Sequence, residues 1–301
     1  MISCNADPRP RPLSDQNQLL KHERAARTGN CWKANDGAII EAGDLVKSFD
    51  GFTAVDHISF AVPEGIIFGF LGPNGAGKTT TIKMLTTVHS PSEGRLLIAG
   101  HDPVKEPLQV RRAFGIVFQD PSLDGELTAA ENMELHGVLY RVPRAERRAR
   151  IEALLHFVGL WERRDDYVKR FSGGMRRRLE IARALQHRPR ILFLDEPTAG
   201  LDPQTRNQIW EFIRGLCRDE HVTVFFTTHY MEEAERVADE IAVIDHGRIV
   251  AEGTAAALRE QTGGRTLEDA FIALTGHSIR EAEAAPIDRM RMMRRVWLGR
   301  R

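Results

Sequence analysis

Gly72-Pro73-Asn74-Gly75-Ala76-Gly77-Lys78-Thr79-Thr80 has the spacing GxxxxGK[ST] of a P-loop, a glycine-rich turn whose backbone N–H groups wrap phosphate. With Gly at ~7% of residues, such a match arises by accident in on the order of one chain in a hundred of this length. The flanks are of the kind the motif requires. Ile66 to Leu71 is an apolar run bounded by Pro63 and Gly65, which predicts a buried strand feeding the loop, and Lys78 to Val88 predicts a helix before Pro91. A helix N-terminus carries unpaired donors and a partial positive charge, so triphosphate anions are expected there.

Working outward, the 301 residues are 42% hydrophobic, enough for an ordinary core in one large domain or two smaller ones. Lys and Arg number 42 against 42 Asp and Glu, so no overall field favours nucleic acid, and none is expected as a partner. Arg141, Arg144, Arg147, Arg148 and Arg150 crowd together, but Glu146 and Glu152 interleave with them, as on a solvated helix face. Cys4, Cys31 and Cys217 are odd in number and lack metal-ligand spacing, which predicts reduced thiols in the cytoplasm. The start lacks the apolar core of a signal peptide, and no stretch approaches the ~18 apolar residues of a membrane span. If the protein serves a membrane, another chain must cross it.

Residues 1 to 37 are polar, with Pro8, Pro10 and Pro12 close together and no periodicity, and a disordered tail is expected. Ile39 to Phe49 and Thr53 to Val62 predict strands. Two readings of Phe49 stand: an exposed aromatic that stacks on adenine, or a core residue near Phe52. Arg95 to Ala99 and Phe114 to Phe118 predict further strands, with a weakly helical stretch between them. Gln119 follows the second of these at once, where its amide can reach a metal or water beside the phosphates. Thr128 with Glu131 forms a capping box for a helix through Tyr140, and Pro143 begins another to about Val158, giving a helical insert between strands.

Ser172 stands at a cap position before an amphipathic helix carrying Leu179, Ala182 and Leu185. The Ser-Gly-Gly sequence is either a second anion site or an ordinary N-cap. The apolar run Ile191 to Leu194 ends in Asp195-Glu196, two carboxylates at the C-terminal tip of a buried strand, the edge where open parallel sheets bind ligands. Alternation along an extended strand would aim one carboxylate at a metal and the other at a water. Asp202-Pro203 starts a helix with Ile209, Phe212, Ile213 and Leu216 on its buried face. The strand Val222 to Phe226 ends in Thr227-Thr228-His229 at the same edge. Ile241 to Ile244 and Ile249 to Ala251 flank His246-Gly247 as a hairpin, and Thr266 with Asp269 caps a last helix closed by Gly276. Arg289 to Arg301 holds six arginines among Met, Val, Trp and Leu, and reads either as a basic segment on anionic lipid or as a solvated tail.

The order P-loop, Gln119, Ser172-Gly173-Gly174, Asp195-Glu196, Asp202, His229 resembles the nucleotide-binding domain of ABC transporters over about Ile39 to Leu258. FSGGMRRRLEIARAL (Phe171 to Leu185) and LEDAFIALTG (Leu267 to Gly276) are similar to ATP-binding subunits of daunorubicin-resistance-type (ABC-2) drug exporters and their lipo-oligosaccharide-exporting relatives. The resemblance implies an α/β fold, a P-loop NTPase (RecA-like) core with an antiparallel β subdomain and a helical insert carrying the signature. The nucleotide-binding domain would cover 38–262 with the insert at about 120–188, leaving a helix and basic tail over 263–301.

On matching positions, the resemblance implies that Gly75 to Thr80 hold the phosphates of ATP, with Gly72, Pro73 and Asn74 also in the nucleotide-binding set, and that Lys78 bridges the β and γ groups. Thr79 and Gln119 would ligate Mg²⁺, Asp195 would support it through water, Glu196 would polarise the attacking water, and His229 would contact the γ-phosphate. Phe49 matches the adenine-stacking aromatic, where Tyr is more usual, and Asp202 joins the nucleotide-binding set. Ser172, Gly173 and Gly174 would contact the ATP of a facing subunit. Met175 and Phe171 depart from the Gln and Leu of the common LSGGQ signature, and signalling through that segment is where a difference is expected. The implied partners are a membrane-spanning permease on a separate chain and a second copy, with the protein peripheral on the cytoplasmic face of the cell membrane. The implied function is that of an exporter ATPase, with an importer ATPase as the nearer alternative. A soluble ATPase acting on ribosomes or DNA is the remoter one, since those carry two such domains or long coiled-coil insertions.

Overall fold

The computed structural model of the protein describes residues 37–276. Cys4, Cys31, nearly all of the tail expected over 1–37, and the basic segment Arg289 to Arg301 lie outside the described residues.

The described residues begin with β1 (Ala38–Phe49), β2 (Phe52–Pro63), β3 (Ile67–Leu71), α1 (Lys78–Leu85), β4 (Glu93–Ile98), α2 (Pro107–Ala113) and β5 (Phe114–Val117). A helical stretch follows: α3 (Ala129–Leu139), α4 (Arg144–Phe157), two single 3₁₀ turns, and α5 (Gly173–Ala184). Then come β6 (Ile191–Asp195), α6 (Pro203–Glu220), β7 (Thr223–Thr228), α7 (Met231–Val237), β8 (Glu240–Asp245), β9 (Arg248–Gly253), α8 (Ala255–Thr262) and α9 (Leu267–Thr275).

These strands form two sheets. One is antiparallel with order β2-β1-β4, and the other has six strands in the order β5-β6-β7-β3-β8-β9. In the larger sheet β5, β6, β7, β3 and β8 run parallel and β9 returns antiparallel at the edge. Parallel strands are covered on both faces, which is why β3, and β6 up to its last residue Asp195, are apolar runs, buried at every position.

Alternation sends the two faces into different cores. Ile67 and Leu71 of β3, Leu192 and Leu194 of β6, and Val224 and Phe226 of β7 pack with α5, α6, α7 and α9. Phe68, Phe70, Phe193 and Phe225 point the other way, onto α1 and the antiparallel sheet. Phe60 of β2 fastens the two sheets together, with ring centroids 6.1 Å from Phe68, 5.7 Å from Phe70 and 6.1 Å from Phe225. Burying such a ring stabilises the fold by about 1.5–3 kcal/mol. A third core, Met133, Ile151, Leu155, Val158, Phe171 and Leu179 among others, belongs to the helical stretch between β5 and β6.

Several local expectations change. Helix α1 ends at Leu85 rather than Val88, with Thr86 at its C-cap and Thr87 at a φ of 62°. The β-branched run Thr86-Thr87-Val88 is poor helix. Two short helices escaped the periodic reading, α7 with its seven residues and α8 with its eight. The Thr254 cap on Ala257 N and the left-handed Gly263 that bound α8 are local signals that were readable.

Candidate functional site

The parallel strands end level with one another. Leu71 pairs with Thr228 and Val243, Asp195 with Thr227, and Val117 with Leu194. Four of the expected site segments therefore leave the sheet at the same edge: the loop 72–77 after β3, Gln119 after β5, Glu196 after β6 and His229 after β7.

The loop is shaped around an open centre. Lys78 is buried, and its Nζ donates to the carbonyls of Gly72 at 2.7 Å and Pro73 at 3.0 Å, so the cation lies inside the turn. Gly77 caps α1 at a φ of 111°, in the left-handed region that L side chains avoid, and a Cβ there would stand 2.6 Å from the Ala54 carbonyl oxygen. At Gly75 a Cβ would meet nothing within 4 Å, so the mouth of the cradle faces open space. Asn74, Gly75 and Thr79 are exposed while Pro73 and Ala76 are buried, so the loop presents one face outward.

Strand order makes β7 the spacer between the P-loop strand and the acidic strand. Thr227 of β7 uses that position: its hydroxyl donates to Asp195 Oδ1 at 2.6 Å and accepts from the Glu196 N–H at 3.1 Å. Burial, with the Glu196 charge added, pushes the Asp195 carboxyl above the usual range against the opposing Thr227 hydrogen bond and Lys78 charge.

The expectation that Asp195 and Glu196 alternate along an extended strand is corrected. Strand β6 stops at Asp195, and Glu196 turns into the left-handed region at a φ of 48°. That turn carries its carboxylate to two partners. Gln119 Nε2 donates to Glu196 Oε2 at 3.3 Å, and His229 Nδ1 stands 3.3 Å from the same oxygen. The His229 contact lowers the Glu196 carboxyl, with the Lys78 charge assisting and burial opposing. An ionised carboxylate, an amide and an imidazole thus meet beside the cradle.

Other expected residues stand apart. Phe49 is 40% exposed at the end of β1, with its ring edge against His89 at 5.5 Å and Lys47 Nζ 5.0 Å from its centroid, so the core reading gives way to an exposed aromatic. Ser172 is the N-cap of α5 and accepts from Met175 N at 3.3 Å, and Ser172 and Gly173 are exposed. Gly174 lies against α6, where a Cβ would reach 2.5 Å from Thr205 Cγ2. Asp202 caps that same helix, accepting from Thr205 N at 3.0 Å and Thr205 Oγ1 at 2.6 Å, so its carboxylate is engaged in the cap rather than with Glu196. The structure joins the Ser172 turn to the start of α6, and the Lys78 and Glu196 cluster forms separately.

Two residues of the site were not singled out in the sequence. Thr227 was read only as a strand end. Arg177, inside the basic run Arg176-Arg177-Arg178, is buried and donates to the Glu196 carbonyl at 3.2 Å. Its one local signal is Glu180, an opposite charge three positions on and on the same helix face.

A family model described as ABC transporter matches residues 55–199, and one described as AAA domain, putative AbiEii toxin, Type IV TA system matches the shorter span 167–233. The chain is 47% identical over 228 residues to the daunorubicin/doxorubicin resistance ATP-binding protein DrrA of Streptomyces peucetius, covering 76% of this chain and 69% of that protein. It is 41% identical over 244 residues to the linearmycin resistance ATP-binding protein LnrL of Bacillus subtilis, covering 81% and 77%. A dimeric ATP-binding cassette solved in a post-hydrolysis state with ADP and Pi superposes with a TM-score of 0.65 at 27% identity, covering 71% of this chain and 98% of that one. The chain belongs to the ATP-binding subunits of ABC transporters, ATPases built on a P-loop core.

Proposed function

We propose that this chain powers an exporter: it binds and hydrolyses ATP to drive efflux of a drug-like or lipid-linked substrate through a membrane-spanning permease on a separate chain. Among the described residues no helix is long and apolar enough to cross a membrane, and the relatives' names speak of drug resistance, which supports export over import. On this reading the subunit sits peripherally on the cytoplasmic face of the membrane.

The observation that carries the reading is the meeting of Gln119 and His229 on one oxygen of Glu196 beside the Lys78 cradle. Gly72 to Thr80 take the phosphates of ATP, and Lys78 exchanges the carbonyls of Gly72 and Pro73 for β- and γ-phosphate oxygens. Glu196, held ionised by His229, accepts a proton from the attacking water, and His229 donates to the γ-phosphate. The hard oxygen donors Thr79, Gln119 and, through water, Asp195 suit Mg²⁺. Bound there, Mg²⁺ would neutralise charge on the β- and γ-phosphate oxygens. Phe49 supplies an exposed face for adenine.

The Ser172 cap serves a second nucleotide. It lies with α6 rather than with its own P-loop cluster, so Ser172, Gly173 and Gly174 close on the ATP of a second copy, with Asp202 holding the adjacent helix start. Hydrogen bonds to a charged group contribute about 1.5–3 kcal/mol each, enough for a few donors per site to close a dimer around two ATPs. Cleavage and phosphate release loosen the same contacts, which resets the permease.

The test is Glu196→Gln in the full-length protein. It is expected to bind ATP, dimerise with it and lose about 10²–10⁴-fold in turnover. Unimpaired hydrolysis would overturn the assignment. Copurification from membranes, with the bound partner identified by mass spectrometry, tests the transport reading, which fails if only ribosomal proteins are recovered.

A further inference from the structure

Helix α5 does more than carry the Ser172 cap. Arg177, Glu180 and Arg183 form a stripe at three-residue spacing along it, and all three engage the backbone that follows β5. Arg177 Nη1 donates to the Phe118 carbonyl at 2.6 Å and Nη2 reaches the Gln119 carbonyl at 3.5 Å. Glu180 Oε1 accepts from the Ser122 N–H at 2.8 Å, and Arg183 Nη1 donates to the Ser122 carbonyl at 2.7 Å. The segment carrying Gln119 is thus gripped at both ends by one helix.

The same guanidinium also crosses to the acidic strand. Arg177 Nη2 donates to the Glu196 carbonyl at 3.2 Å, while Nη1 pairs with Glu180 Oε2 at 3.2 Å. Arg177 is 7% exposed and Glu180 3%, so the charge is desolvated and held by its ion pair and carbonyl partners. Glu196 has left the strand ladder in a left-handed conformation that its own chemistry disfavours, and it is pinned from both sides. Its N–H goes to the Thr227 carbonyl and hydroxyl, and its carbonyl goes to Arg177. A planar fork of donors can serve two diverging strand ends at once, which a single ammonium cannot.

We propose that Arg177 is a positioning residue for hydrolysis: it ties the first turns of α5, next to Ser172, to the backbone of both Gln119 and Glu196, so that seating of the Ser172 turn on nucleotide sets the approach of Gln119 to the Glu196 carboxylate. The proposal rests on the reading of Glu196 as the hydrolytic carboxylate. A structural role alone would stabilise the fold without selecting these two segments. The geometry selects them, since the carbonyls held are those of Phe118, Gln119 and Glu196.

The test uses Arg177→Lys in the full-length protein, which keeps the charge beside Glu180 but gives up the fork. ATP affinity is expected to stay within about twofold and kcat to fall about tenfold, a loss made in the transition state. Amide exchange is expected to quicken about tenfold at Gln119, Asp120 and Ser122 and at Glu196, Thr198 and Ala199, and to stay unchanged across α1. Unchanged exchange at both segments, or a uniform rise that includes α1, overturns the proposal, as does an unaltered kcat. Glu180→Gln keeps an acceptor for Ser122 and removes the charge that faces Arg177 and Arg183. Its expected fall in kcat is about threefold at unchanged affinity, and full activity there also counts against the tie. If the unsubstituted protein hydrolyses no ATP, the hydrolytic reading fails, whereas the exchange comparison still decides whether Arg177 holds the two segments.

Discussion

Gln119 Nε2 donates to Glu196 Oε2 across 3.3 Å, although 77 positions separate the two residues in the chain. The contact exists because β5 and β6 are parallel neighbours whose ends are in register, Val117 opposite Leu194. Gln119→Ala removes the amide and leaves the His229 contact in place. ATP binding measured by titration calorimetry is expected to persist, and kcat from phosphate release to fall by about 10–10²-fold.

Thr227→Val deletes one hydroxyl that serves two neighbours, and Val keeps the β-branched shape of the strand. Buried Asp195 Oδ1 then loses its 2.6 Å donor, and the Asp195 carboxyl, already pushed up by burial, moves higher. The expected cost is about 1–3 kcal/mol, read as a lower denaturant midpoint, together with reduced turnover.

The two loop glycines are expected to fail differently. Gly77→Ala forces a Cβ against the Ala54 carbonyl at 2.6 Å in a left-handed backbone, so both the thermal midpoint and ATP binding should drop. Gly75→Ala meets nothing within 4 Å and adds only the left-handed strain, about 1–2 kcal/mol. Its methyl narrows the mouth of the cradle, so ATP affinity should fall while the fold persists. Calorimetry with and without nucleotide separates the two results.

Acid should weaken the junction of α3 with the end of α5. Tyr140 stacks on His187 with ring centroids 3.8 Å apart and lies 4.7 Å from His136. Burial holds the imidazole of His136 down at about 3 and that of His187 at about 4. Both stay neutral in the folded chain while the unfolded chain takes up protons below about 6.5. Stability is therefore complete above that pH and declines as pH falls towards about 4, by up to about 1.4 kcal/mol per pH unit for each histidine. Thermal midpoints measured from pH 7 to 4 should fall, and His187→Gln should flatten the fall relative to the unsubstituted protein.

Much of this was local and legible. The P-loop spacing, the capping boxes at Thr128 and Thr266, the Ser172 and Asp202 caps, and the apolar runs of β3, β6 and β7 are each written within a few residues, because capping, turn strain and burial act on neighbours. Those features by themselves determined a P-loop α/β chain with its chemistry at strand ends. What the tertiary structure decided is which ends meet. It inserted β7 between β3 and β6, so that Thr227 became the bracket for Asp195 and Glu196. It turned Glu196 out of the strand into a left-handed residue, where periodicity had expected continued alternation. It also buried Arg177, in a basic run to which the sequence alone assigned no role, since the Phe118 and Glu196 carbonyls that hold its charge beside Glu180 are distant in the chain. Register and crossover depend on the summed packing of both faces of the sheet, and no window of sequence contains that sum.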